Sequence, residues 1–189
     1  MTAPEAKRPA ENPPPRTVGI REKFFAPIGN IVVAFQDADF CLTMLLALLL
    51  NEDTNVTLSF AVSLSFSKKL DVVKSIAPFK IKDQGLLAEL DDIVKQLANA
   101  EQERNVIVHG HWITPVKDGP IGFYKPATRR DGLKNFLESK SMDDMQKVLA
   151  IIHKATERLF SFTGELHARG VIQQKVFPFT PKVENRSNG

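Results

Sequence analysis

The chain of 189 residues contains one cysteine, one tryptophan and one tyrosine. Its single thiol, Cys41, cannot close an intrachain disulfide; set in an apolar run, it is expected to be a small core residue in a reducing compartment. No Gly-x-x-x-x-Gly-Lys run and no Gly-x-Gly-x-x-Gly occurs, which excludes phosphate cradles of those two types. Charge of either sign is not in large excess: 25 Lys and Arg against 22 Asp and Glu leave a formal charge of +3. The resulting pI near 9.0 permits contact with nucleic acid without demanding it. The N-terminus has no short basic region followed by an apolar core, so no secretory signal is expected. The apolar run Phe40–Leu50 follows Gln36, Asp37 and Asp39 and falls short of the roughly 20 residues that cross a bilayer. A cytoplasmic protein with no membrane partner is the expectation.

What is present is a globular composition, 43% hydrophobic and 25% charged, long enough for one domain with a substantial core. Residues 1–20 form a Pro-rich arm that buries little and is predicted to be disordered, with five prolines between positions 2 and 19. Residues 21–170 form the helical domain, and 171–189 a polar tail in which Val176, Phe177 and Phe179 are able to dock on the core.

Four helical segments are predicted. The first runs from about Phe25 to Leu50 and is apolar on most sides, as a central helix would be. The second, within 56–77, is ambiguous: Val56, Leu58, Phe60, Val62, Leu64 and Phe66 alternate like a strand. From Phe66 onward Leu70, Val73 and Ile76 revert to helical spacing, so helix is preferred, with Pro78 as its stop. The third spans about Gln84–His109, with Leu86, Leu90, Ile93, Val94, Leu97, Ile107 and Val108 on one face and Gly110 as terminator. The fourth opens at Ser141, whose spacing to Asp144 approximates a capping box. Between the third and fourth, Lys117-Asp118-Gly119-Pro120 suggests the turn of a small β-hairpin insertion. The fold class is therefore all-α, a four-helix up-and-down arrangement with that insertion.

The run Glu103-Arg104-Asn105-Val106-Ile107-Val108-His109-Gly110-His111-Trp112 carries the chemistry. Leu90, Leu97 and Arg104 are seven apart, so a permanent cation continues an apolar row. Such a group needs a buried partner or an anionic ligand. Asp39 lies on the core-facing stripe of the first helix, which makes an Asp39–Arg104 ion pair the structural alternative. Glu101, Asn105 and His109 stack at i, i+4 and i+8, whereas Arg104 and His109 stand roughly 140° apart. On one straight helix those two are not expected to converge; a distorted helix end or a second copy of the helix would be required.

Arg104-Asn105, three residues, then His109-Gly110-x-Trp112 on the third long helix resembles the HEPN superfamily, in particular an uncharacterised bacterial branch. Phe35 and Asp39, and Leu64-Ser-Phe-Ser-Lys-Lys-Leu70, resemble that branch's first and second helices, and the likeness spans about residues 25–168. The resemblance implies a homodimer with both motifs lining one cleft, and a metal-independent endoribonuclease of toxin or phage-defence type without a cofactor. In that role Arg104 would hold the phosphate, Asn105 would orient the histidine or phosphate, and His109 would act as general acid or base. Asp39 and Glu101 would support them. A separately encoded nucleotidyltransferase-like antitoxin is a further implied partner. The competing reading is a non-catalytic module that binds nucleotide, RNA or protein, and a third is a purely scaffolding bundle.

Other signals are weaker. His109-x-His111 has no further ligand at metal spacing, so no metal is expected. Tyr124 beside Lys125, Arg129 and Arg130 suggests stacking and pairing with single-stranded RNA. His153 and His167 are expected to face solvent, and Trp112 to cover the end of the helices.

Overall fold

The computed structural model describes residues 18–50, 54–113, 121–129 and 132–173, with side chains for 22–50, 56–110 and 140–173. The packed part is all-α. Helix α1 (Val18–Leu50) is followed by α2 (Thr54–Ser63), α3 (Phe66–Lys80), α4 (Gln84–His109) and α5 (Met142–Ala168). Between α4 and α5 the backbone pairs in three antiparallel strands, β1 (His111–Ile113), β2 (Ile121–Arg129) and β3 (Gly132–Lys140). Trp112 is opposite Phe123, and Lys125 opposite Phe136. The proposed Lys117–Pro120 turn, residues 1–17 and the apolar tail residues Val176, Phe177 and Phe179 lie outside the described residues.

The helices differ from expectation in ways the backbone explains. The segment around 56–77 is two helices, not one: α2 ends at Ser63, and α3 begins after Ser65. Pro78 does not stop α3, which continues to Lys80, because in the last turn a proline removes a single backbone hydrogen bond. Helix α1 starts earlier than Phe25 and carries Pro27 inside it. Gly110 does end α4, but in an extended conformation (φ −71°, ψ 141°), so its glycine freedom is not used. That freedom is used at Gly170, with φ at +69° after α5. There the Gly170 amide donates to the His167 carbonyl at 2.9 Å and the Val171 amide to the Leu166 carbonyl at 2.9 Å, a Schellman closure.

Each helix start that matters is fixed locally. Asp83 accepts from the amides of Gly85 (2.7 Å) and Leu86 (3.2 Å), opening α4. These backbone donors, Leu86 first, hold the Asp83 carboxyl below its usual range. At α5 the capping box is complete: Ser141 Oγ accepts from the Asp144 amide, and the Ser141 amide donates to Asp144 Oδ2.

Helix α1 is the axis of the core. Ile31, Ala38, Leu42, Leu45, Leu46 and Leu49 are buried against Val73 of α3, Ile93 and Leu97 of α4, and Ile152, Leu159 and Phe162 of α5. Phe35 meets Phe66, and Asp39 meets Lys69, so α1 and α3 run in the same direction. Pairs Asp92–Arg158 and Asp83–Arg169 show α4 and α5 running oppositely. The apolar span of α1 exceeds the Phe40–Leu50 run: Glu22–Leu50 is long enough to cross a bilayer, and its most apolar 18-residue window has a mean hydropathy of 1.8, with half of that window buried inside the protein. A core helix meets the same measure, and α1 packs as one. Cys41 is half-buried, not fully in the core; burial, then Asp37, raises its thiol pKa.

Candidate functional site

The last two turns of α4 bring the candidate residues together. Arg104, one heptad past the buried Leu97, is directed into the space between α4, α1 and α3. Its guanidinium carbon lies 5.0 Å from the Phe35 ring centroid, and Phe35 packs against Phe66 at 4.6 Å with the rings tilted by 46°. A cation over an aromatic face is attracted by the ring quadrupole. The two rings thus form a floor that accounts for the presence of a charge on an apolar row.

Arg104 Nη1 donates to Asn105 Oδ1 at 2.9 Å and lies 3.4 Å from His109 Nε2. A guanidinium only donates, so as a hydrogen bond this contact requires the tautomer in which Nε2 accepts. The expectation that Arg104 and His109 would not converge on one helix is therefore corrected. Their Cα atoms diverge around the axis, but the arginine side chain is long enough to bring Nη1 to the imidazole. Arg104 Nε is buried without a hydrogen-bond partner among the described residues. His109 is exposed at the helix end.

The Asp39–Arg104 pair does not form. Both Asp39 oxygens accept from Lys69 Nζ, at 2.7 and 2.8 Å, and Lys69 is only 3% exposed. Lys69 was not foreseen, although its signal was present: with Phe66, Leu70 and Val73 on the buried face of α3, position 69 falls on that face too. Thr43 Oγ1 donates to the Asp39 carbonyl at 2.7 Å one turn further along α1. Glu101 shares the neighbourhood. Burial lifts its carboxyl above the usual range, nearby Arg104 pulls it down, and Asp39 pushes it up. Glu103 accepts from Lys140 Nζ at 3.1 Å, which ties the end of β3 to α4 beside the site.

Tyr124, Lys125 and Arg129 lie on β2, outside the described side chains, and Arg130 lies outside the described residues altogether. His153 and His167 are exposed on α5. Among the described residues, no three His, Cys, Asp or Glu side chains come together at metal-binding spacing. No family model, no curated protein and no solved structure matches the chain. The functional reading therefore rests on residue chemistry and geometry.

Proposed function

We propose that the chain is a HEPN-like, metal-independent endoribonuclease whose Arg104, Asn105 and His109 act on RNA in a composite cleft of a homodimer. The observation that supports it best is the Arg104–Asn105–His109 cluster, in which one nitrogen of the guanidinium reaches both neighbours. In this reading α1, α3, α4 and α5 are the four long helices of the bundle, α2 is a short helix added between α1 and α3, which run in the same direction, and the strands between α4 and α5 are the insertion. Its setting is the cytoplasm, as a toxin or phage-defence effector held in check by a separate nucleotidyltransferase-like antitoxin.

The chemistry needs no redox group. The ribose 2′-oxygen attacks the adjacent phosphorus as its proton passes to a base, and the P–O5′ bond breaks as the 5′-oxygen takes up a proton. A 2′,3′-cyclic phosphate and a free 5′-hydroxyl result. His109, exposed at the helix end, is placed to exchange one of these protons. Arg104, retaining hydrogen-bond donors beyond the nitrogen used in the cluster, holds the phosphate and offsets the charge that develops on its oxygens. Asn105 fixes the guanidinium, and the Phe35–Phe66 floor holds it from below.

Purified protein is expected to cut RNA in EDTA and leave cyclic phosphate ends, with cleavage abolished in a folded His109→Ala variant. Equal cleavage by that variant would assign the activity to a contaminant and remove the reading. The same geometry supports a second reading, a module that binds nucleotide or RNA without cutting it, because Arg104 is already seated in a defined place. Growth arrest on overexpression, relieved by His109→Ala, favours the enzyme; tight RNA binding with no cleavage favours the module.

A further inference from the structure

Asp39 follows Phe35 by one turn of α1, and the Phe35 ring carries the Arg104 guanidinium. Asp39 and Arg104 both bear on the Glu101 carboxyl, Arg104 lowering its pKa and Asp39 raising it. A carboxylate one helical turn from the residue that carries a half-buried guanidinium is a candidate for a forked, charge-assisted pair with it. Among the described residues, however, no carboxylate lies within ion-pair distance of Arg104, and Asp39 gives both oxygens to Lys69. The pairing is selective: Lys69 is almost fully enclosed on α3, where an ammonium without a carboxylate would be strongly disfavoured.

We propose that Lys69 is a positioning residue that occupies the Asp39 carboxylate and thereby leaves the Arg104 charge available to a phosphate group. This rests on the reading of Arg104 as the phosphate holder. Without the Lys69 ammonium, Asp39 is released to pair with Arg104, and the carboxylate competes with the ligand. The charge of Lys69 thus acts at a distance, through Asp39, and not by touching the ligand.

The test uses the full chain with inorganic phosphate as probe, followed through the ring signals of His109 assigned with H109Q. Lys69→Met is expected to weaken phosphate binding about tenfold, the range of an ordinary coupling between sites. Lys69→Gln, which keeps one donor toward Asp39, provides a second folded variant with the same expected loss. The double variant K69M/D39N, which removes both charges, is expected to recover native affinity, because no carboxylate remains to capture Arg104. Native affinity in K69M would overturn the proposal, as would a folded double variant that stays weak, since Lys69 would then contact the anion itself. If phosphate leaves the native chain unshifted, or binds the Arg104→Ala variant equally well, the phosphate reading itself fails and takes this proposal with it.

Discussion

The aromatic floor beneath Arg104 gives a sharply defined perturbation, Phe35→Leu. The substitution keeps an apolar side chain at a position that is 5% exposed but removes the ring face. Two contacts are lost: the tilted pair with Phe66 at 4.6 Å, typically about 0.5–1.5 kcal/mol, and the guanidinium contact at 5.0 Å. For a half-buried cation the second contributes about 1 kcal/mol, between the exposed and the desolvated limits. A destabilisation of about 2 kcal/mol is therefore expected in urea unfolding, below the roughly 3–5 kcal/mol of a Phe→Ala truncation that also leaves a cavity. A double-mutant cycle of Phe35→Leu with Arg104→Met separates the parts and should return a coupling of about 1 kcal/mol. A coupling indistinguishable from zero would show that the ring only fills space, and the account of how Arg104 is seated would fall.

Other predictions concern the frame around the site. Leu97→Ala, at a fully buried position one heptad before Arg104, should cost about 2–5 kcal/mol by urea unfolding, and a loss under about 1 would mean that α4 is not packed as described. Ser141→Ala should cost about 1 kcal/mol by removing half of the α5 capping box. The Ser141 amide, and next its hydroxyl, hold the Asp144 carboxyl at about 2, below its reference of 3.8. Because the folded value is the lower, the stabilisation is complete above pH 3.8 and is lost as the pH falls through about 2. An NMR titration of Asp144 that gave an ordinary midpoint would contradict this cap. Burial raises the Cys41 thiol pKa, so alkylation by iodoacetamide near pH 8 should be slower in the native chain than in urea, and equal rates would place the thiol in open water.

Helix α4 and the C-terminal helix were legible because their apolar residues recur at helical spacing and their ends carry short-range chemistry. Ser141 and Asp144 are three residues apart, so the cap they form needs nothing from the rest of the chain. The split between α2 and α3 was not legible. Alternating Val56, Leu58, Phe60 and Val62 fits a strand as well as it fits a helix whose Val56, Phe60 and Val62 remain exposed. The glycine that ends a helix in the left-handed region is Gly170 and not Gly110, and a glycine symbol alone does not distinguish the two.

The amino-acid order alone set a cation, Arg104, on an apolar row and an imidazole five residues later at a helix end, since both facts depend only on helical repeat. It could not assign partners. Asp39 had cations on two other helices within its potential reach, and which one it took depended on how α1, α3 and α4 are spaced when packed. Packing gave Asp39 to Lys69 and put Arg104 over Phe35 and beside His109. Ion pairing and ring stacking fall steeply with distance and are fixed by tertiary placement, whereas helical periodicity is a local property that the chain carries before it folds.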